Sequence, residues 1–541
     1  MKCAQGTPHV LELAVLTTPG QPPALANDRD TSQSSTVQTS TPAEPRLPTQ
    51  RRLSLRPIVE FLVTLFVAVL LCRTFVAEAY IVPTGSMAPY ILGFHKCLCC
   101  PQCQFPFSIG RQVGLGQNEA QAPGKPWEYP TAFCPNCGHG PIPSAHVPES
   151  PGDRLLVHKH LFDCRAPRRW ETAVFQGPTP VRPVSGEPFI KRIVGLPGEE
   201  VFLRDGDVWI NGRRAAKSFV EWQKLRILVY DHDYQPGDAP QPFRFTAADP
   251  RWKSRANGRI WYLEESNPGE PTPCLTYSHL QRRAAGDWQP SPITDLYAYN
   301  GDATGRNIVH DIALEARLTI AGHGILHLAV RRGQAEYRLE IPVGVSTGPT
   351  TLSRACVEAT GRTVCQTIAR TNWAVPELPP DTVVCFGIVD GRFLCSLGSS
   401  LAPVFELPVE DLRPSETSSA DEHPGLGDRL LALGARGLRI TARELKVYRD
   451  IYYTSCDVAG VFPHGIATPV RLGADEYYVL GDNSPGSYDS RRWESGPGVP
   501  RANLVGKPFL LHLPSRAQEY HILGKKHMLA LPDLSRMKIL Q

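Results

Sequence analysis

The sequence has little excess charge. Its 57 Lys and Arg residues stand against 53 Asp and Glu residues, so the formal net charge is +4 over 541 residues. It also has no long basic block, and its basic residues are not interleaved with aromatic residues as nucleic-acid binding requires. We therefore exclude nucleic acid as a partner.

Two further patterns are missing. No convincing internal repeat is present, and the 16 histidines offer no obvious base for a serine nucleophile. A serine nucleophile in this chain would therefore need a base other than the usual histidine.

What the sequence does have begins with a polar tail and an apolar segment. Residues 1–50 are rich in Thr, Ser, Pro, Ala and Gln and predict a disordered tail. Residues 58–76 would span about 28 Å as a helix at about 1.5 Å per residue, so we predict a transmembrane helix over 57–77. Arg51, Arg52 and Arg56 precede it, which predicts a cytoplasmic N-terminus and an extracytoplasmic remainder. A cleaved secretory signal ending at Ala77-Glu78-Ala79 is the alternative.

Beyond this segment, short β-branched and aromatic runs bounded by Gly, Pro and Asp predict a mainly β protein. Residues 214–456 contain a second series of such runs, including LRILVYDHDY, DIALEARLTI, ILHLAVRRG and GLRITARELKVYRDIYYT. Their alternation of polar and apolar residues favours a β-sandwich or jelly-roll insert. The insert would bind a glycan or a protein partner, or pack against the rest of the chain. Residues 516–541 form a C-terminal tail without a readable signal.

A serine and a lysine are candidates for chemistry. Ser86 lies in VPTGSMAPY, where Gly85 and the flanking prolines predict a turn with an exposed hydroxyl. In EPFIKRIVGLPGE, a strand would place Lys191 on one face with apolar neighbours and Arg192 on the other. Burial would lower the pKa of the lysine and allow it to act as a general base, which arginine cannot do. A structural ion pair and a simple turn are the alternative interpretation.

Six cysteines lie between Cys97 and Cys137. Cys100-x-x-Cys103 and Cys134-x-x-Cys137 resemble the two knuckles of a zinc ribbon, and we predict a zinc-ribbon-like insert over 97–140 with a structural zinc on these four thiolates. Disulfide bonds are the alternative, because the segment is expected outside the cytosol.

The motifs TFVAEAYIVPTGSMAPY, GDRLLVHKH, EPFIKRIVGLPGEEV, YYVLGDNSPGSYDSRRW and NLVGKPF together resemble, in order, the conserved boxes of bacterial type I (leader) signal peptidases. The resemblance implies a discontinuous catalytic domain over 80–213 and 470–515. It also implies that Ser86 is the nucleophile and Lys191 the general base. The remaining roles are an oxyanion hole of Thr84 and the Ser86 backbone N–H, and lysine-orienting or site-shaping residues, namely Ser487, Asp482, Asp489, Arg491 and Arg192, with Asp489 and Arg491 paired.

The family implies a function and a location. The expected activity is removal of signal peptides from exported preproteins after small residues, through an acyl-enzyme and without a catalytic cofactor. The expected partners are preproteins and the lipid bilayer, and the expected location is the bacterial inner membrane. The chain departs from the family at Ser484-Pro485 and at Tyr90-Ile91. An inactive peptidase scaffold serving as a surface binding module is the alternative, and a self-cleaving Ser-Lys repressor is disfavoured.

Overall fold

The structure is a computed structural model. It describes residues 55–71, 77–111, 131–177, 188–236, 243–265, 270–282, 287–301, 307–333, 335–344, 348–357, 363–398, 402–409, 429–457, 460–522 and 525–540. The predicted tail over 1–50 lies outside the described residues. The chain forms two compact units, residues 1–72 and residues 73–541.

In the first unit, the structure describes helix α1, Arg56–Leu71. Its side chains are exposed and almost all apolar, with Arg56 donating to Glu60 at 2.7 Å. Residues 72–76 lie outside the described part, and Ala77 begins a strand. Among the helices of the described ranges, none has both the length and the apolar character needed to cross a membrane.

The second unit is mainly β, as predicted. Its first part contains two short helices, α2 (Leu161–Cys164) and α3 (Phe219–Leu225). Ser218 begins α3 with a capping box to Glu221. The strands of this part are β1 (Ala77–Ile81), β2 (His95–Cys99), β3 (Pro106–Gly110), β4 (Glu149–Ser150), β5 (Arg154–His158), β6 (Thr172–Gln176), β7 (Pro188–Gly195), β8 (Glu200–Arg204), β9 (Asp207–Ile210) and β10 (Arg213–Arg214).

The middle of the chain carries the longest strands. They are β11 (Ile227–Asp231), β12 (Phe245–Ala247), β13 (Trp252–Arg255), β14 (Ile260–Leu263), β15 (Cys274–Ser278), β16 (Leu280–Arg282), β17 (Trp288–Pro290), β18 (Ile312–Arg332), β19 (Ala335–Val343), β20 (Thr350–Val357), β21 (Thr363–Thr371), β22 (Thr382–Val389), β23 (Arg392–Leu397), β24 (Phe405–Pro408) and β25 (Arg429–Arg449).

The remaining strands are β26 (Cys456–Asp457), β27 (Gly460–Val461), β28 (Val470–Arg471), β29 (Glu476–Leu480), β30 (Gly498–Pro500), β31 (Leu504–Leu511), β32 (Ser515–Ile522), β33 (Lys525–Pro532) and β34 (Lys538–Ile539). Short 3-10 helices cover Ala298–Asn300, Ser484–Gly486, Arg501–Asn503 and Leu534–Arg536.

Two sheets join distant parts of the chain. An eight-stranded sheet has the order β1-β5-β31-β6-β7-β29-β30, with β34 paired to β31, and a four-stranded sheet has the order β10-β9-β8-β28. Each sheet thus combines strands from before residue 215 with strands from after residue 469.

The tight turns between neighbouring strands follow from the sequence, because Asp-Gly and Asn-Gly supply the positive φ of two-residue hairpins. They occur at residues 205–206, 211–212 and 390–391.

A thirteen-stranded sheet occupies the middle of the chain. Its strands β18 and β25 pair along most of their length, with register shifts after Glu315 and after Gly322. One half of β18 pairs with β22 and the other half with β19, and both halves contribute to a single apolar core. The sequence runs DIALEARLTI and ILHLAVRRG, predicted as separate strands, therefore form one continuous strand, since the glycines between them permit a bend without ending the pairing.

Candidate active site

Strand β7 presents two adjacent basic residues on opposite faces. It pairs with β6 through Ala173 and Lys191, and with β29 through Leu480 and Arg192. Both side chains are buried, with Lys191 3% and Arg192 8% exposed. The alternation predicted from the sequence therefore separates their surroundings, and each residue meets a different partner.

Lys191 meets the serine of the loop between β1 and β2. Its Nζ lies 2.7 Å from Ser86 Oγ, across 105 residues of sequence. Ser86 is 4% exposed, so its hydroxyl is not on the open surface as the turn alone predicts. The ring of Phe189 lies 5.8 Å from the lysine nitrogen. A nucleophilic hydroxyl and an amine are thus within hydrogen-bonding distance in a buried setting.

The serine loop is held by several backbone contacts. Ala88 N donates to Gly85 O at 3.1 Å, and Asn483 N donates to Ser86 O at 3.0 Å. Asp153 accepts from Leu92 N at 2.7 Å, and its carboxylate also pairs with Arg536 from the C-terminal region. The loop is therefore held by Asn483, Asp153 and Arg536, none of which is among the predicted site residues. Arg536 lies in the C-terminal segment for which the sequence predicted no structure or function.

Arg192 meets Asp482 in a two-pronged ion pair. Its Nε and Nη2 donate to the two carboxylate oxygens at 2.7 and 2.6 Å, and Nη1 donates to Trp170 O. Burial alone would lower the pKa of Arg192, but the charge of Asp482 raises it. This pair connects β7 to the loop after β29. The two residues are 290 positions apart, so sequence pattern alone does not predict their contact.

Asp489 and Arg491 form a second buried pair at 2.7 Å, with both side chains fully buried. Burial alone would raise the pKa of Asp489, but the charge and hydrogen bonds of Arg491 lower it. Asp489 also accepts from Gly481 N, and Arg491 donates to Ser484 O at 2.9 Å. The pair therefore holds together the two sides of the loop that contains Asp482.

Ser487 and Thr84 are the remaining predicted site residues. Ser487 is 1% exposed, and a hydrogen bond from its side chain is among the interactions that lower the pKa of Asp489. A Cβ added at Gly481 would lie 2.2 Å from Ser487 Oγ and 2.6 Å from Ser86 O, so glycine allows these loops to approach. Thr84 is half-buried in the bend that precedes Ser86.

The four predicted cysteine ligands come together away from this serine and lysine pair. Cys100, Cys103, Cys134 and Cys137 are all buried, and their sulfur atoms lie within 4.8 Å of one another. Two of the sulfur separations are 3.5 and 3.6 Å. A disulfide bond is about 2.05 Å long, whereas thiolates about 2.3 Å from a tetrahedral zinc have separations near 3.8 Å. The donor set therefore fits a zinc ion.

The comparisons with known proteins show which family the chain resembles. The family described as signal peptidase, peptidase S26, matches residues 140–256 and 453–513. A probable signal peptidase I-2 of Synechocystis sp. is 39% identical over 70 residues, which are 13% of this chain and 32% of that protein. Signal peptidase I of Leptolyngbya laminosa is 38% identical over 72 residues, 13% of this chain and 36% of that protein. Signal peptidase I T of Bacillus subtilis is 29% identical over 108 residues, 19% and 53% of the two chains.

This chain spans about a third of the length of the first two relatives. A solved galectin, LEC-6 of Caenorhabditis elegans, aligns with 28% of this chain and 86% of its own at 9% identity, with a TM-score of 0.17, which is too low to relate the two folds. The family match includes Lys191, Asp482 and Arg491 but begins after Ser86. The resemblance predicted from the sequence is confirmed over these residues, where the chain is similar to signal peptidases of the peptidase S26 family.

Proposed function

We propose that this chain is a serine endopeptidase that removes signal peptides from exported preproteins. The observation that carries the proposal is the 2.7 Å separation of Lys191 Nζ and Ser86 Oγ, with both side chains buried. Desolvation disfavours an ammonium ion, so this burial supports a neutral amine that can accept the serine proton. The proposal assigns to this chain the activity that the similar signal peptidases are named for.

The reaction follows from these two groups. Ser86 Oγ attacks the scissile carbonyl carbon while Lys191 takes the hydroxyl proton. The tetrahedral intermediate collapses as the C–N bond breaks, and Lys191 returns the proton to the leaving amine. A water then attacks the acyl-enzyme ester and passes a proton to Lys191, which gives that proton to Ser86 Oγ as the ester C–O bond breaks and the carboxylic acid product leaves. The Ser86 N–H and the Thr84 hydroxyl would stabilise the oxyanion in both steps.

The substrate would bind as an added strand. Strand β1 lies at one end of the eight-stranded sheet formed by the described strands, and it leads into the serine loop. An extended signal-peptide end can pair with such an edge through its main chain. Small apolar pockets beside Ser86 would then select Ala-x-Ala-like ends.

Three features of organisation belong to the same proposal. The catalytic domain combines 80–213 and 470–515, with 214–456 as an inserted β domain, which the shared sheets support. The zinc-ribbon-like insert over 97–140 holds a structural zinc on its four thiolates, which leaves no open position for a catalytic water. The apolar, exposed side chains of α1 support an anchor within 57–77 in a bacterial inner membrane, with the catalytic domain outside the cytoplasm.

The test is cleavage of a preprotein by the purified full chain. We expect the wild type to cut after a small residue, and Ser86→Ala and Lys191→Ala to lose at least about 10³-fold in rate, because either removal abolishes nucleophile activation. Ser535→Ala, at an exposed site in the C-terminal region, is the control. Equal processing by all four proteins would reject the dyad. Retention of the chain in carbonate-washed membranes of the expressing cells, before purification, tests the anchor.

A further inference from the structure

A short segment of the predicted β insert packs on the serine loop. It is the 3-10 helix Ala298–Asn300 with the preceding Tyr297. The Tyr299 ring lies against Gly85, where an added Cβ would come within 2.1 Å of it. The Tyr297 hydroxyl donates to Asp482 O at 2.7 Å. The insert therefore contacts both loops that form the candidate active site.

Asn300 connects this segment to Asn483 by a reciprocal amide pair. Asn300 Nδ2 donates to Asn483 Oδ1 at 2.7 Å, and Asn483 Nδ2 donates to Asn300 Oδ1 at 2.8 Å. The two bonds fix the orientation of the Asn483 amide, because a rotated amide would face a donor with a donor and an acceptor with an acceptor. Asn483 is 2% exposed and Asn300 is half-buried, so the two bonds are partly shielded from solvent.

The oriented Asn483 side chain in turn holds one peptide unit of the serine loop. Its Nδ2 also donates to Gly85 O at 3.0 Å, while its backbone N donates to Ser86 O. The Gly85 carbonyl and the Ser86 N–H belong to the same planar trans peptide, so they point in opposite directions. Fixing the carbonyl therefore fixes the direction of the Ser86 N–H.

We infer that Asn300 is a positioning residue that orients the Ser86 N–H as an oxyanion donor, acting through Asn483. The inference rests on the proposed peptidase function and gives the β insert a role in it. Donors aimed in advance at the developing negative charge act mainly in the transition state. Loss of Asn300 should therefore lower kcat and leave KM nearly unchanged.

The experiment compares full-length wild type, Asn300→Ala and Asn300→Asp by steady-state cleavage and by hydrogen exchange. Complete loss of one oxyanion donor costs about 10²- to 10³-fold in kcat. Since the donor here is misdirected and not deleted, we expect a fall of about tenfold or more, with KM within about twofold. Asn300→Asp preserves the shape but cannot donate to Asn483 Oδ1, so it should fall as well.

Hydrogen exchange makes the test independent of catalysis. In both variants, the amides of residues 84–91 and of Asn483 should exchange faster, while the insert strands keep their wild-type protection. Asn503→Ala is the matched control, because its amide contacts Gln176 O at an exposed position. This variant should match the wild type in both measurements.

The outcomes separate the two proposals. Wild-type kcat and local exchange in Asn300→Ala would overturn the inference and leave the peptidase function standing. Faster exchange across the whole insert would also overturn it, because Asn300 would then act only in folding. If the wild type cleaves nothing, the proposed function fails, and the exchange at residues 84–91 still decides whether Asn300 holds the loop.

Discussion

Lys191 and Arg192 are adjacent on one strand, but their side chains have different partners and different chemical roles. Lysine can lose its proton when buried, whereas arginine stays charged and presents a planar fork suited to a carboxylate. Lys191 accordingly lies beside a hydroxyl, and Arg192 forms two bonds to Asp482. Exchange of the two residue types would therefore place a permanent charge beside Ser86.

The Arg192 and Asp482 pair predicts a large effect on stability. Asp482→Asn leaves Arg192 charged and buried without its counter-charge, which should lower the free energy of unfolding by about 3–5 kcal/mol. Urea denaturation of the full chain, followed by fluorescence, measures this change. Asp205→Asn breaks the exposed pair of Arg204 and Asp205, and it should cost less than about 1 kcal/mol. A loss equally small for Asp482→Asn would contradict this account.

At this scale, the sequence predicts what is local. The period of two along β7 separates Lys191 from Arg192, and the turn chemistry around Gly85 indicates a turn at Ser86. Neither rule can name a partner far along the chain, so the Arg192 to Asp482 pair and the Asn300 to Asn483 pair were not predicted. The role of Ser487 beside Lys191 was implied only by resemblance and remains a prediction.

The pairing of strands is likewise predictable from the sequence only where the two strands are close along the chain. The Asp-Gly and Asn-Gly turns identify hairpins such as β8 with β9, because the turn fixes which strands are neighbours. The pairing of β7 with β29 depends instead on which apolar faces become buried together, and the intervening residues carry no signal for it. The bend in β18 was likewise missed, since glycines inside a run of strand residues commonly indicate an end.

The ion pairs of Glu171 predict that the stability of the fold depends on pH. Glu171 lies just before β6 and contacts strand β31. Glu171 accepts from Arg165 at 2.7 and 2.9 Å and from Lys507 at 2.8 Å. Burial alone would raise the pKa of Glu171, but these cations lower it from 4.5 to about 2. A carboxyl whose pKa falls on folding stabilises the fold above its unfolded value, and that contribution disappears as the pH falls toward the folded value.

Glu171→Gln should therefore be less stable than the wild type at pH 6, by about 1–2 kcal/mol after allowance for its partial exposure. The difference should shrink steadily between pH 4.5 and pH 2. Urea denaturation at several pH values measures it. Glu264→Gln, which breaks an exposed pair with Lys253, serves as the control and should show almost no difference at any pH. A constant gap for Glu171→Gln down to pH 2 would contradict the assignment.

At the scale of the second unit, the cysteine segment, residues 97–140, contacts the β insert. Asn136, between Cys134 and Cys137, donates to Asp231 O and Tyr234 O and accepts from Asp231 N at 2.7 Å. The rings of Phe105 and Tyr234 meet edge to face at 5.1 Å. The paired Cys-x-x-Cys spacing predicts the ligands, but these contacts depend on chain positions about 95 residues apart, which spacing cannot predict.

This connection predicts what metal removal does. Structural zinc sites contribute folding free energy directly, so Cys134→Ser or treatment with a strong chelator should unfold the cysteine segment and accelerate hydrogen exchange in residues 227–236. Metal analysis of the purified wild type should find about one zinc per chain, and Cys134→Ser should lose it. Cys365→Ser changes an exposed cysteine and should keep the metal. Protein without zinc whose exchange is unchanged by chelator would show that the four thiols hold the segment together without a metal.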